Sequence, residues 1–168
     1  PVPGAGPFLH TGPGRYQVPP SYFLIGGDVE RHGSLMKPGF IDVISFGNPP
    51  TEIPRPDGHT SGRRLALAQW IASPQNPMTA RVIVNRVWQK HFGRGIVATL
   101  ENFGKMGERP THQELLDWMA VEFMTHGWSL KRISKLMMMS EAYQMASAFE
   151  DPADAKADPE NAYLWRYR

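Results

Sequence analysis

The sequence predicts a mainly α-helical fold, in which a four-helix domain follows a loop-rich segment that carries a small two-stranded β element. Two observations support this prediction. Residues 1–60 hold eleven of the 16 prolines and ten of the 16 glycines, a composition typical of loops and extended chain. Beyond residue 60, apolar residues recur with the helical period. We therefore predict a Pro/Gly-rich segment at 1–60, a helical domain at 61–149, and an acidic connector with the start of a truncated C-terminal element at 150–168.

Composition narrows the function classes. The chain has 168 residues, 41% of them hydrophobic, a formal net charge of +2 and no cysteine. The apolar content excludes a wholly disordered chain, and no apolar run approaches the roughly 20 residues of a membrane helix. Without cysteine there are no disulfides, thiolate metal sites or cysteine nucleophiles. Because the chain begins with proline, we expect a processed or excised piece of a longer protein.

The N-terminal segment has two runs with β character, at residues 21–26 and 40–46. They predict a small sheet that must pack against other parts of the chain to be stable. Between them, Asp28, Glu30 and His32 alternate, and on an extended strand they could hold a hard cation. The surrounding glycines and proline favour a polar turn instead.

The first two helices are predicted from apolar spacing and from stop signals. Residues 63–72 place a broad apolar face on one helix, and Ser73-Pro74 ends it. Asn76-Pro77 has the form of an N-cap followed by proline at the first helical position, and Gly93 ends this second helix. His91 lies on its apolar arc, so we predict a core histidine whose ring donates to a backbone carbonyl.

Two further helices follow a glycine-containing loop. Thr111 and Glu114 have capping-box spacing before a helix that ends near Gly127. Ser129 is predicted to cap a fourth helix that runs to about residue 140. Because residues 127–129 alone connect these helices, they must turn sharply against each other.

Charge is unevenly distributed, since no acidic residue lies between Asp57 and Glu101. The basic residues in this interval are Arg63, Arg64, Arg81, Arg86, Lys90 and Arg94. Such a stretch could hold phosphate, sulfate or carboxylate groups, or nucleic acid. The alternative, which we favour, is a solvated face neutralised by acids of the third helix such as Glu114, Asp117 and Glu122.

The loop at residues 101–110 is the most unusual local segment. Gly104 and Gly107 flank Lys105-Met106, but the segment has neither a phosphate-binding P-loop pattern nor the helices expected around an RNA-binding Gly-x-x-Gly clamp. We predict a structured loop in which the glycines allow positive φ and Glu108 and Arg109 tie the loop to the helices.

Several motifs together resemble a known family. They are residues 63–71, 76–95, 102–104, 107–118 and 127–131. Over residues 62–147 the chain resembles the planctomycete-type domain of unknown function 1553. The resemblance implies a large exported multidomain protein, located in the periplasm or at the cell surface, with other domains of the same polypeptide as partners and often a cytochrome c module. It implies no particular reaction.

Function is predicted in three versions. The leading hypothesis is a non-catalytic interaction or structural module that binds an anionic polysaccharide, sulfated or uronic. The second is part of an enzyme or electron-transfer assembly acting on glycans, with His91, Glu108, Arg109 and His112 converging in a pocket at the loop 101–111. Nucleic-acid binding is third, because the net charge is small. We predict no cofactor and no metal, and no catalytic constellation is recognisable. The candidate ligand-binding residues are Arg86, Lys90, His91, Arg94, Lys105, Glu108, Arg109 and His112.

Overall fold

A computed structural model describes residues 20–41, 62–148 and 150–167. The chain divides into two compact units, Pro1–Asn76 and Pro77–Arg168. The described part is mainly helical with one small antiparallel sheet, which confirms the predicted fold class. Its elements are β1 (Ser21–Leu24), β2 (His32–Met36), α1 (Arg63–Ile71), α2 (Thr79–Phe92), α3 (Gln113–Thr125), α4 (Leu130–Met138), α5 (Glu141–Gln144) and α6 (Pro152–Ala157).

The first unit contains a hairpin in which β1 pairs antiparallel with β2, with Tyr22 opposite Leu35. Gly26 and Gly27 both have positive φ and allow the chain to reverse directly after β1. The second strand therefore follows β1 more closely in sequence than we predicted. The strand that we predicted at residues 40–46 is wrong for Phe40 and Ile41, which are not in a strand. Residues 42–46 lie outside the described residues.

The acidic segment between the strands is a polar turn, as predicted. The Asp28 carboxylate accepts the Glu30 backbone N–H at 3.0 Å, and the Arg31 N–H donates to the Asp28 carbonyl at 3.1 Å. His32 begins β2 and stacks on Tyr22, with 4.6 Å between ring centroids. In the same unit, α1 has no buried residue, and Trp70 stacks on Phe40 at 5.1 Å.

The second unit is built on α2, α3 and α4, which pack against one another. Each helix turns an apolar face toward a shared core, as their spacing predicts. The buried members are Ala80, Val84, Trp88, Phe92, Ile96, Val97, Leu116, Met119, Ala120, Phe123, Ile133 and Met137. Met119 and Met137 are core residues and Met124 packs against the core, whereas Met138 and Met139 are exposed. Methionine therefore serves packing in this core.

The helix ends test the predicted capping residues one by one. α2 begins at Thr79 with no side-chain cap, and the Asn76 amide instead donates to the Trp70 carbonyl at 3.3 Å. The capping box is wrong, because His112 is the N-cap of α3 and Thr111 is bonded to the Ile96 carbonyl. Ser129 does cap α4, accepting the Arg132 N–H at 3.3 Å.

The acidic region after residue 150, which we predicted to be a solvated connector, contains a short helix whose residues are all exposed. Asp151 accepts the N–H groups of Ala153 and Asp154, and this cap with Pro152 at the first position starts α6. Capping chemistry therefore gives helical structure to a segment whose polarity indicated a linker.

Candidate functional site

The candidate residues lie on α2 and on the chain that follows it, which is held in place by Asn85. Its side chain is fully buried. The amide Nδ2 donates to the Val97 carbonyl and Oδ1 accepts the Val97 N–H, each at 2.9 Å. A single side chain thereby satisfies both backbone groups of a buried residue, as a neighbouring strand would. We predicted no role for Asn85 from the sequence, although an asparagine beside buried Val84 was the available signal.

The loop 101–110 is held closed by the side chain of Thr99, which lies just before it. The Thr99 hydroxyl donates to the Asn102 carbonyl at 2.8 Å and accepts the Glu108 N–H at 2.9 Å. A Cβ on Gly107 would lie far inside van der Waals contact with the Asn102 carbonyl oxygen. Gly107 is thus required for space. Our prediction that Gly104 and Gly107 supply positive φ is wrong, since neither has it.

Ion pairs join this loop to α2 and to the residues that directly follow it. Arg86 pairs with Glu101 at 3.3 Å, and Arg94 pairs with Glu108 at 3.3 Å. Since Arg86 and Lys90 are one helical turn apart, Lys90 lies next to the Arg86–Glu101 pair on the surface of α2. Glu108 therefore holds the loop to the end of α2 through its ion pair with Arg94, in line with the contact that we predicted for it.

Three cations at this surface are exposed and form no ion pair with any residue that the structure describes: Lys90, Lys105 and Arg109. The prediction that Arg109 ties the loop to the helices therefore finds no ion pair in the described chain.

The acids that neutralise the basic stretch come mostly from the loop and the C-terminal segment. Arg94 contacts Glu160 as well as Glu108. Of the three acids that we expected on the third helix, Asp117 pairs with Arg81 on α2 at 2.6 Å, whereas Glu122 pairs with Arg132 on α4. The hydrogen bond from Arg81 holds the pKa of Asp117 below its usual value of 3.8 despite partial burial. Neutralisation was predicted, but most of its sources were not.

Residues 158–167, here called the C-terminal clasp, fold over the end of α2. Asp158 accepts the N–H groups of Ala162 and Tyr163 at 2.9 and 2.8 Å. The Asn161 amide donates to the Arg166 carbonyl at 2.8 Å, and Leu164 packs against the helical core. The predicted start of a truncated element is thus an ordered part of the second unit.

The clasp contacts both candidate histidines. The Tyr167 hydroxyl donates to the His91 backbone carbonyl at 3.2 Å, and the Tyr163 ring lies edge-on to His112 at 5.7 Å. The His91 ring is half-buried and lies edge-on to Tyr143 at 5.9 Å. We expected its ring to donate to a carbonyl, but the hydrogen bond described at this residue runs to its own carbonyl. A hydrogen bond with Tyr143 raises the pKa of Tyr167 above 10.

A small pocket lies between the clasp and the start of α3. Its polar lining consists of Arg94, Thr111, His112 and Asn161, and Trp88 and Phe92 contribute apolar walls. The cavity has a volume of about 10 Å³, which is room for about one water molecule. Of the four residues expected to converge in a catalytic pocket, His112 lines this cavity, whereas His91, Glu108 and Arg109 do not.

In residues 20–41, 62–148 and 150–167, no three His, Asp or Glu side chains are grouped closely enough to hold a metal ion. In the same ranges, no helix has the length and hydropathy needed to cross a membrane.

The chain matches a known protein family. The model of the family PSD1, described as protein of unknown function (DUF1553), matches residues 63–168, which is more than half of the chain. The chain belongs to this family. The matched region of this DUF1553 protein begins at α1 and includes the loop 101–110, the ion pairs on α2 and the clasp. Neither the curated proteins nor the solved structures contain a match to the chain.

Proposed function

We propose that this DUF1553 domain is a non-catalytic interaction module of a larger exported or cell-envelope protein. In this proposal it binds an anionic glycan, sulfated or uronic, at the outer surface of α2 and the loop 101–110. The observation that carries the proposal is the set of three exposed cations, Lys90, Lys105 and Arg109, that form no ion pair with the described residues.

The neighbouring ion pairs support reversible binding at this surface. Arg86 and Glu101 have side chains that are 52% and 87% exposed, and such exposed pairs contribute about 0–1 kcal/mol. A sulfate or carboxylate group of a glycan can therefore replace Glu101 on Arg86 at little cost. The cations Arg86, Lys90, Arg94, Lys105 and Arg109 face three carboxylates, those of Glu101, Glu108 and Glu160, which leaves a net charge of +2.

A catalytic role has less support from the same geometry. Pockets that bind small molecules usually measure roughly 300–1,000 Å³, whereas the cavity beside His112 measures about 10 Å³. Arg94 holds two carboxylates, and the clasp contacts both candidate histidines. These groups stabilise the fold, so an interaction module is the better account of the site.

The test measures binding of the chain to heparin and to polygalacturonate at about 10 mM and about 150 mM salt, where the Debye lengths are roughly 30 and 8 Å. We expect binding at low salt that weakens severalfold at higher salt. The triple variant K90Q/K105Q/R109Q should lose most of this binding. The control variant K131Q/K135Q/K156Q removes the same charge from exposed positions of α4 and α6.

The control should bind the glycans almost as the wild type does. Absence of salt-sensitive binding would contradict the glycan part of the proposal. An equal loss in both triple variants would show that net charge, and not this surface, determines binding. Circular dichroism of each variant establishes that the helices are intact.

A further inference from the structure

The outer face of α4 combines exposed cations with exposed methionines. Lys131 and Lys135 are exposed and lie one helical turn apart. Met138 and the C-cap residue Met139 are 46% and 65% exposed on the same side. These four residues are called the α4 outer face. The opposite side of the helix buries Ile133 and Met137 in the core.

The electrostatics at the N-terminal end of this face are unfavourable in the chain by itself. Lys131 lies in the first turn of α4, where the positive end of the helix dipole disfavours a cation, and this turn has no acidic residue. Lys131 and Lys135 also repel each other across one turn. Neither forms an ion pair with a residue that the structure describes, although the adjacent Arg132 pairs with Glu122 at 2.9 Å. Carboxylates supplied from outside would relieve both conflicts.

The apolar part of the face suits a protein partner. Methionine side chains are unbranched and polarisable, so they adapt to partner surfaces of different shape. The backbone beneath them is well anchored, since Ser129 caps the helix and Ile133 and Met137 are buried. The α4 outer face thus combines a well-packed helix backbone with adaptable side chains.

We propose that the α4 outer face binds an acidic amphipathic helix of a partner protein. Two carboxylates four residues apart on that helix match the spacing of Lys131 and Lys135. An apolar side chain of the partner helix would lie on Met138 and Met139. Charge complementarity selects this occupant, because the α4 outer face presents Lys131 and Lys135 and α4 has no acidic residue. The surface and the partner class both differ from those of the proposed glycan site.

The test uses a fluorescein-labelled, alanine-rich helical peptide with glutamates at positions i and i+4 and leucine at i+7, and fluorescence anisotropy measures its binding to the whole chain. A matched peptide has glutamine at both glutamate positions. We expect the glutamate peptide to bind more tightly than the glutamine peptide. K131Q/K135Q should weaken its binding about three- to tenfold, as expected for the loss of two exposed ion pairs. M138S/M139S should also weaken it.

The variant K90Q/K105Q/R109Q serves as the control, because it should lose glycan binding and keep peptide binding. Failure of the glycan proposal therefore leaves this test intact. Equal binding of the two peptides would overturn the proposal, as would unchanged binding by K131Q/K135Q. Binding to vesicles containing phosphatidylglycerol without binding to the peptide would also overturn it, in favour of a lipid surface.

Discussion

The substitution Asn85→Ala tests what holds the candidate site together. It removes both hydrogen bonds to the Val97 backbone and leaves a buried N–H and a buried carbonyl without partners. Each unsatisfied group costs about 1–3 kcal/mol, so the free energy of unfolding should fall by about 2–6 kcal/mol. That loss is a large share of the roughly 5–15 kcal/mol of a typical domain.

Urea denaturation followed by far-UV circular dichroism measures this loss. The matched control is Asn102→Ala, because the exposed Asn102 side chain accepts one N–H, from Gly104, at 2.9 Å. We expect the control to cost less than about 1 kcal/mol. A loss below about 1 kcal/mol for Asn85→Ala, or an equal loss for the control, would refute the assignment of Asn85 as the residue that holds the chain after α2 in place.

Three further predictions concern the loop, the clasp and acid stability. Gly107→Ala should destabilise the chain by at least about 2 kcal/mol in the same urea assay, since its Cβ meets a backbone oxygen and the loop must shift; an unchanged midpoint would contradict this. Tyr167→Phe removes the bond to the His91 carbonyl and should increase hydrogen exchange of residues 158–167, whereas unchanged exchange would show that the bond is dispensable. Because Arg81 lowers the pKa of folded Asp117, this carboxylate stabilises the fold above pH 3.8, and its contribution is lost as the pH falls through the folded pKa. The difference in stability between wild type and Asp117→Asn should therefore be largest near neutrality and shrink in acid; a difference that does not change with pH would exclude this linkage.

Much of the helical unit could be predicted from the sequence because its signals are local. The apolar period of α2 places Val84, Trp88 and Phe92 in the core. The Ser129 cap depends on residues three positions apart, so spacing alone was enough to identify it.

The errors arose where a distant partner decided the outcome. Thr111 has capping spacing, but its N–H and hydroxyl bond to Ile96, fifteen residues earlier in the chain. Similarly, the residue that neutralises Arg94 from the clasp, Glu160, is 66 positions away. Local patterns carry no information about such pairs.

The candidate site was predicted only in part for the same reason. The sequence places Arg86 on α2 and Arg94 just after it, and the following loop forms an ion pair with each of them. The clasp over His91 and His112 depends on tertiary packing of residues whose composition indicated a connector. Tyr167 and Tyr163 of the clasp contact His91 and His112, the two histidines of the catalytic hypothesis.

The most direct test of the glycan-binding proposal is an NMR titration of the isotopically labelled chain with a heparin oligosaccharide at low salt. The proposal predicts that amide shifts concentrate at residues 86–94 and 101–110, and that they shrink as salt is added. The α4 outer face should show little change. Absence of shifts at both segments, or shifts centred on α4, would contradict the proposal.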